Sequence, residues 1–175
     1  SFYTLDGVLF RKKDDALVAY PRGKAASSYT VPQGTSAVDE RAFDSCSFLT
    51  SISLPASVTE IDDYAFSDCS ALVEVSIPSS VDEIGSCAFN YCTALSSIVI
   101  PDSVTEIEEG AFAECRALTT VVLPNSLTEI SDYLFSCCTS LSDILIPDSV
   151  TEIETGAFQR CTSLVSIVIP DSVTE

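Results

Sequence analysis

The chain has 175 residues, 46% of them hydrophobic, with 26 acidic residues against 8 basic ones and no histidine, for a formal net charge of −18. Residues 1–24 have a net charge of +2, whereas the other 151 residues have a net charge of −20. That field repels phosphate backbones and anionic membranes and so excludes a nucleic-acid-binding protein. No apolar run approaches the roughly 18 residues that span a bilayer, so we expect no membrane insertion of this segment.

The N-terminal segment, residues 1–30, differs from the rest of the chain and predicts a small β-meander. Three short apolar segments, residues 2–5, 8–10 and 16–20, have strand character and are separated by turn residues such as Asp6-Gly7. A loop over residues 21–24 leads into the following segment. We therefore predict an N-terminal β-meander cap, residues 1–30, that closes the open face of the region after it.

From Pro32 onward the sequence repeats with a constant 23-residue period, which indicates a stacked repeat and not a globular core. Six complete units run over residues 32–169, and residues 170–175 begin a seventh. Columns of Pro, Leu, Phe and Cys keep the period together, starting from Pro32, Leu49, Phe43 and Cys46. We therefore predict a repeat array over residues 31–175.

The fifth unit and the strand before it show how each unit folds. Val121 and Leu123 are two residues apart, the spacing of a strand with one buried face, and Pro124 ends that strand because it has no N–H group. An extended segment follows, and Phe135 and Cys138 then lie three apart in what we expect to be a helical turn. Coils stack about 4.8 Å apart, so each column becomes a ladder buried by its neighbours.

These residues resemble the leucine-rich repeats of the BspA-like, or Treponema pallidum, class, whose 23-residue pattern is near CxxLxxIxIPxxVxxIxxxAF. Residues 32–169 follow it throughout, with departures at Thr35 and Val38 in the first unit and Leu134 in the fifth. The resemblance implies a leucine-rich repeat solenoid, a right-handed superhelix or horseshoe. It would be mainly β, with one short parallel strand, an extended segment and a helical turn per repeat.

Serine stands where the common leucine-rich repeat has asparagine. We expect these hydroxyls to bond the backbone of adjacent coils as the asparagine ladder would. The column consists of Ser57, Ser80, Ser103, Ser126, Ser149 and Ser172.

Eight cysteines raise the question of disulfides or a metal site. Six of them form one column, where equivalent, parallel Cβ directions make a disulfide torsion difficult. The other two, Cys87 and Cys137, lie two coils apart and should not pair. Without histidine or closely spaced cysteine pairs, a zinc site is not expected. We predict free thiols that act as small core residues.

A column of glutamates predicts an acidic ridge along the array. It consists of Glu60, Glu83, Glu106, Glu129, Glu152 and Glu175. A solvated surface is the simplest interpretation, and calcium bound between adjacent coils is the alternative. A regular ladder offers no carboxyl group with a distinct environment, which disfavours glycoside cleavage. We therefore expect no cofactor, with calcium on the ridge as the weak alternative.

The outward positions of the strands are the candidate binding site. One column changes from serine to aliphatic residues midway, from Ser53 and Ser76 to Val99, and a hydroxyl and acidic column runs beside it. We expect both on the concave side of a horseshoe, where they suit a protein partner. Exposed valine is also simply favoured in strands. The candidate residues are Val99, Val122, Leu145, Val168, Thr120, Asp143, Ser97 and Ser166.

Two functions remain open at this stage, and an enzyme is disfavoured because no catalytic motif is present. The resemblance implies a non-enzymatic, adhesin-type binding module, secreted or on the cell surface, that contacts a host extracellular or matrix protein. The alternative is a structural spacer that presents other domains of a longer surface protein. The array also lacks a polar cap after residue 175, so we expect further repeats or self-association through the C-terminal end.

Overall fold

The computed structural model describes residues 1–174, and their regular structure is entirely β. No helix among them has the length and apolarity needed to cross a membrane. The strands are β1 (Phe2–Leu5), β2 (Val8–Arg11), β3 (Leu17–Ala19), β4 (Ser28–Thr30), β5 (Ala37–Val38), β6 (Ser51–Ser53), β7 (Glu60–Ile61), β8 (Glu74–Ser76), β9 (Glu83–Ile84), β10 (Ser97–Val99), β11 (Glu106–Ile107), β12 (Thr120–Val122), β13 (Glu129–Ile130) and β14 (Glu152–Ile153).

The predicted outward strands form one side of the solenoid. The three-residue strands β4, β6 and β8 pair in parallel, as do β10 and β12, and Leu145 forms an isolated parallel bridge with Val168. Each pairing joins residues one repeat apart, as between Ile52 and Val75. The period of the sequence therefore sets the register of the ladder. The prediction of one short parallel strand per repeat is confirmed as far as β12, and the last two coils keep only the bridge.

A second parallel sheet lies where the sequence predicted only an extended segment. Strands β5, β7, β9 and β11 continue the sheet of β1, β2 and β3, and β13 pairs with β14. In most coils this strand is a Glu-Ile pair, in which the isoleucine is buried and the glutamate faces outward. The coil therefore stacks on its neighbours along two sides.

The N-terminal meander is confirmed, and it joins the array without a break. Strands β1, β2 and β3 are antiparallel, and Leu17 of β3 then pairs in parallel with Val38 of the first repeat. Strand β4 lies within the segment predicted as cap but forms the first rung of the outward ladder. The ring of Tyr20 stacks on Phe43 with centroids 5.2 Å apart, so the meander covers the first coil.

Phenylalanine rings form the centre of the core. Successive rings from Phe43 to Phe158 stack with centroids 5.0 to 5.9 Å apart and planes within 15° of parallel. Offset stacking at such distances is favourable for aromatic pairs. In the last coil Phe158 is only half-buried, whereas Phe135 is fully buried by the coil after it. Each coil is thus buried by the next one, as expected for a solenoid.

All eight cysteines are free thiols, as predicted. From the second unit onward, each thiol of the column donates to the phenylalanine carbonyl of the preceding coil, as Cys115 does to Phe89 at 3.2 Å. Burial raises the pKa of the Cys115 thiol to about 12, so this group is neutral at physiological pH. The column therefore acts as a core ladder, and its neutral thiols are poor nucleophiles.

The structure corrects the predicted helical turn of the fifth unit, which is a series of linked turns. Tyr133 and Cys137 have left-handed φ angles of 52° and 61°, which interrupt any helix. Their N–H groups donate to Thr155 and Gln159 of the next coil at 3.0 and 2.7 Å. The N–H of Ser136 donates within its own coil. The N–H of Phe135 likewise donates to Ala157 of the next coil, at 2.8 Å. In a continuous helix these N–H groups would bond within the helix, whereas here alternate ones bond to the neighbouring coil.

The expected serine ladder forms at only half of its positions. The hydroxyls of Ser57, Ser80 and Ser126 donate to carbonyls of the preceding coil at 2.8, 2.5 and 2.5 Å. The other three hydroxyls are buried without a partner, and each of these serines follows an aspartate, whereas the bonded ones follow a neutral residue. The unbonded serines are Ser103, Ser149 and Ser172.

Candidate binding face

The outward side chains of the first ladder make up what we call the strand face, residues 28–30, 51–53 and their equivalents in each later coil. In β8, β10 and β12 the middle residue, such as Ile98 or Val121, is buried, and the residues on both sides of it are exposed. Strands β10 and β12 pair in register, so Val99 stands beside Val122. The face is thus two parallel columns of exposed side chains.

The C-terminal half of the face carries an aliphatic stripe. Its side chains are 64%, 48%, 80% and 77% exposed for Val99, Val122, Leu145 and Val168, respectively. A single exposed aliphatic residue is ordinary, but four at the same outward position of consecutive coils concentrate apolar surface along one side of the solenoid. The structure therefore brings these four predicted residues together.

Polar residues border the stripe on both sides. The column before it, which contains the other four predicted residues, is exposed throughout: Ser97, Thr120, Asp143 and Ser166. On the other side, the residues after each proline are also exposed, and Asp102 accepts hydrogen bonds from the main-chain N–H and Nδ2 of Asn125 at 2.8 and 3.2 Å. These hydrogen bonds tie the rim of one coil to the next.

The N-terminal half of the face carries hydroxyl groups. A shallow groove of about 330 Å³ lies over β4, β6 and β8 and is bordered by serines, threonine and one acid. Sequence reasoning missed Ser28 and Thr30, because they precede the first proline of the repeat. The signal was available, since stepping back by one repeat from Ser51 and Ser53 reaches both positions.

The two halves meet at a break in the ladder between β8 and β10, which belong to separate sheets, and a second break separates β12 from the bridge of Leu145 with Val168. A second groove, of about 320 Å³, lies across this break. Among the described residues, one main-chain hydrogen bond joins the two segments there, from Ser96 N–H to the Val73 carbonyl at 3.4 Å. The groove lining is Glu74, Val75, Ser76, Ile77, Ser97, Val99 and Pro101.

The acidic ridge lies on the second sheet, away from the strand face. Glu60, Glu83 and Glu106 pair directly across β7, β9 and β11. Partial burial raises the pKa of Glu83, and the neighbouring carboxylates raise it further. Among residues 1–174, no group of three or more acidic or cysteine side chains is arranged to hold a metal ion. Calcium on the ridge stays a prediction that this geometry does not support.

The tyrosines of the turn segment pack against neighbouring coils. The guanidinium of Arg41 lies 4.4 Å from the ring centre of Tyr64, a cation–π distance. The ring of Tyr133 lies against Gly156. Of the tyrosines, Tyr91 and Tyr133 are exposed, and neither lies on the strand face. Tyr64 and Tyr133 therefore contribute to the packing between coils.

Solved structures of similar proteins show the same solenoid. A leucine-rich repeat protein from Bacteroides ovatus superposes with a TM-score of 0.83 and 30% identity over 98% of this chain and 45% of that one. A leucine rich cell surface protein from Faecalibacterium prausnitzii gives 0.75 and 32% over 95% and 39%. The Treponema pallidum leucine-rich repeat protein gives 0.68 and 27% over 89% and 86%.

The chain spans less than half the length of the first two of these proteins. No curated protein matches it. The family model of the BspA type leucine rich repeat region matches residues 22–101 and 82–175, in six copies. The match covers the whole repeat array, residues 31–175, and includes the columns that build both sheets. The chain therefore belongs to the BspA-type leucine-rich repeat family.

Proposed function

We propose that this chain is a non-enzymatic binding module whose strand face contacts a protein partner, a host extracellular or matrix protein. The observation that carries the proposal is the aliphatic stripe of Val99, Val122, Leu145 and Val168, exposed across four consecutive coils. Apolar surface of this kind gains free energy when a partner removes it from water. Its polar borders supply hydrogen-bonding groups for a rim.

A location outside the cell or on its surface agrees with this role. One similar structure is described as a leucine rich cell surface protein. The strong negative charge of the array keeps such a module soluble and steers oppositely charged partners to it. At the cell surface, or outside the cell, the strand face would be accessible to a host protein.

The test is a double substitution in the stripe, Val122→Glu with Leu145→Glu. Both side chains are exposed, so the fold is retained, but two carboxylates would be buried without partners in the complex. We expect binding to a panel of immobilised extracellular-matrix proteins to weaken at least about 100-fold, as for the loss of interface anchors. Surface plasmon resonance measures the affinity, and circular dichroism checks the fold.

The matched control adds the same charge on another side of the coil. Thr155 and Gln159 are exposed and belong to the turn segment, so Thr155→Glu with Gln159→Glu should leave binding within about twofold. If both double variants bind equally well, the strand face is not the contact surface. If the native chain binds no protein of the panel, the structural spacer becomes the better explanation.

A further inference from the structure

The groove across the break between β8 and β10, which we call the junction groove, combines one acid with apolar and hydroxyl surface. Glu74 lies on one wall, Val99 and Pro101 lie on the other, and Ser76 and Ser97 complete it. Glu74 is exposed and, among residues 1–174, takes part in no salt bridge. Its carboxylate is therefore free to accept a partner.

The basic side chains of the repeat array lie away from the strand face. All three, Arg41, Arg116 and Arg160, belong to the turn segments. Arg41 covers the ring of Tyr64, and Arg116 pairs with Glu114 at 2.9 Å. The strand face consequently presents carboxylates and hydroxyls with no positive charge among its described residues. Any charged group that binds there gains most if it is cationic.

The chemistry of the lining selects one kind of cation. A metal ion needs several ligand oxygens around it, and the junction groove offers one carboxylate. A lysine or arginine side chain fits better, because its methylene stem packs on apolar surface while its charged head stays at the polar edge. Val99 and Pro101 would cover the stem, and Glu74 would accept the charge-assisted hydrogen bond.

We propose that the junction groove anchors a lysine or arginine side chain of a cationic polypeptide whose neighbouring apolar residues lie along the aliphatic stripe. This inference rests on the proposed function, since it names the chemical class of the protein partner. The groove lies where the outward column changes from Ser76 to Val99. The same partner would then contact both halves of the strand face.

The test uses short fluorescent peptides that alternate lysine with valine and serine, and matched peptides with glutamine or glutamate in place of lysine. We expect fluorescence anisotropy to show binding of the lysine peptide only. Substituting Glu74→Gln should weaken it about tenfold, as for the loss of one charge-assisted hydrogen bond. Substituting Val99→Ser should weaken it less, since only stem contacts are lost.

Glu129→Gln is the control, because it removes the same charge from the exposed ridge of the second sheet. It should change the affinity less than twofold. Equal effects of Glu74→Gln and Glu129→Gln would mean a general attraction to the acidic array and would overturn the proposal, as would equal binding of the glutamine peptide. Neither result touches the proposed function, which fails if the stripe variant Val122→Glu with Leu145→Glu keeps its protein partner or if the native chain binds no protein of the panel.

Discussion

The ring of Tyr133 lies against Gly156 of the next coil so closely that a Cβ atom added to the glycine would stand 2.6 Å from Tyr133 Cε1. Gly156 also has a left-handed φ of 69°. A similar contact joins Cys87 to Gly110, whose added Cβ would lie 3.3 Å from the sulfur. In both contacts a larger side chain of this column packs into the space left by the glycine of the next coil.

Replacing Gly156 with alanine should destabilise the array by about 2 to 4 kcal/mol, from the left-handed backbone and the clash with Tyr133 together. Urea denaturation measures the loss. Gly23→Ala is the control, since an added Cβ there meets no atom within 4 Å. In a Tyr133→Ala background, Gly156→Ala should cost only the backbone part, about 1 kcal/mol. Equal costs with and without the ring would contradict the packing explanation.

The phenylalanine ladder should be most sensitive at its centre. Phe89 is fully buried and stacks on Phe66 and Phe112 at 5.0 and 5.3 Å, so Phe89→Ala should cost about 3 to 5 kcal/mol. Phe158 in the last coil is half-buried, and Phe158→Ala should cost distinctly less. Equilibrium denaturation compares the two. Similar losses at both positions would show that the stack is not stabilised coil by coil.

Acidification from pH 7 towards pH 5 should stabilise the protein. Partial burial and neighbouring carboxylates raise the pKa of Glu60 and Glu83 above the ordinary value of 4.5. The folded state therefore binds protons at a higher pH than the unfolded chain does. The resulting stability is fully present below about pH 4.5 and is lost as the pH rises through the raised pKa values.

Thermal melts at constant ionic strength measure this effect. The Tm should rise between pH 7 and pH 5, and the rise should be smaller in the Glu60→Gln, Glu83→Gln double variant. Asp14 works in the opposite direction, because its hydrogen bond from Arg11 lowers its pKa, so its contribution is lost only in stronger acid. A Tm that falls steadily from pH 7 to pH 5 would contradict the prediction.

Thiol labelling should separate the cysteines by their place in the fold. In the native protein a small alkylating reagent should modify the half-buried Cys87, Cys137 and Cys161 before any fully buried thiol of the column. In denaturant without reductant all eight should react. Mass spectrometry of digested protein identifies the sites. Fast native labelling of Cys92 or Cys115 would show that the core opens far more readily than a stacked ladder should.

Repetition made most of the fold predictable from the sequence. A side chain that recurs in every repeat meets its own copy in the next coil, so the strand at Ser97 to Val99, the phenylalanine stack and the free thiols followed from column positions alone. The second sheet at Glu106-Ile107 was not predicted, because two-residue strands leave no pattern of alternation. The left-handed residues Tyr133 and Cys137 were also missed, because tyrosine and cysteine rarely adopt a positive φ and so do not indicate one in a sequence.

The candidate site divides in the same way. That Val99, Val122, Leu145 and Val168 share one outward column was a consequence of period and alternation, and the structure confirms their exposure. That Glu74 and Val99 line one groove across a break could not be predicted, because a constant period implies an unbroken ladder.

By itself the sequence determined the repeat, its register and the chemistry of every column, because identical spacing forces identical neighbours. Only the tertiary structure decided where the ladder of the strand face breaks and leaves the groove between Glu74 and Val99. It also decided which serine hydroxyls find a carbonyl. The position of a break depends on how whole coils pack on one another and not on the residue at any one position. The unbonded serines do share a feature of the sequence, a preceding aspartate, but only the structure shows that their hydroxyls lack a partner.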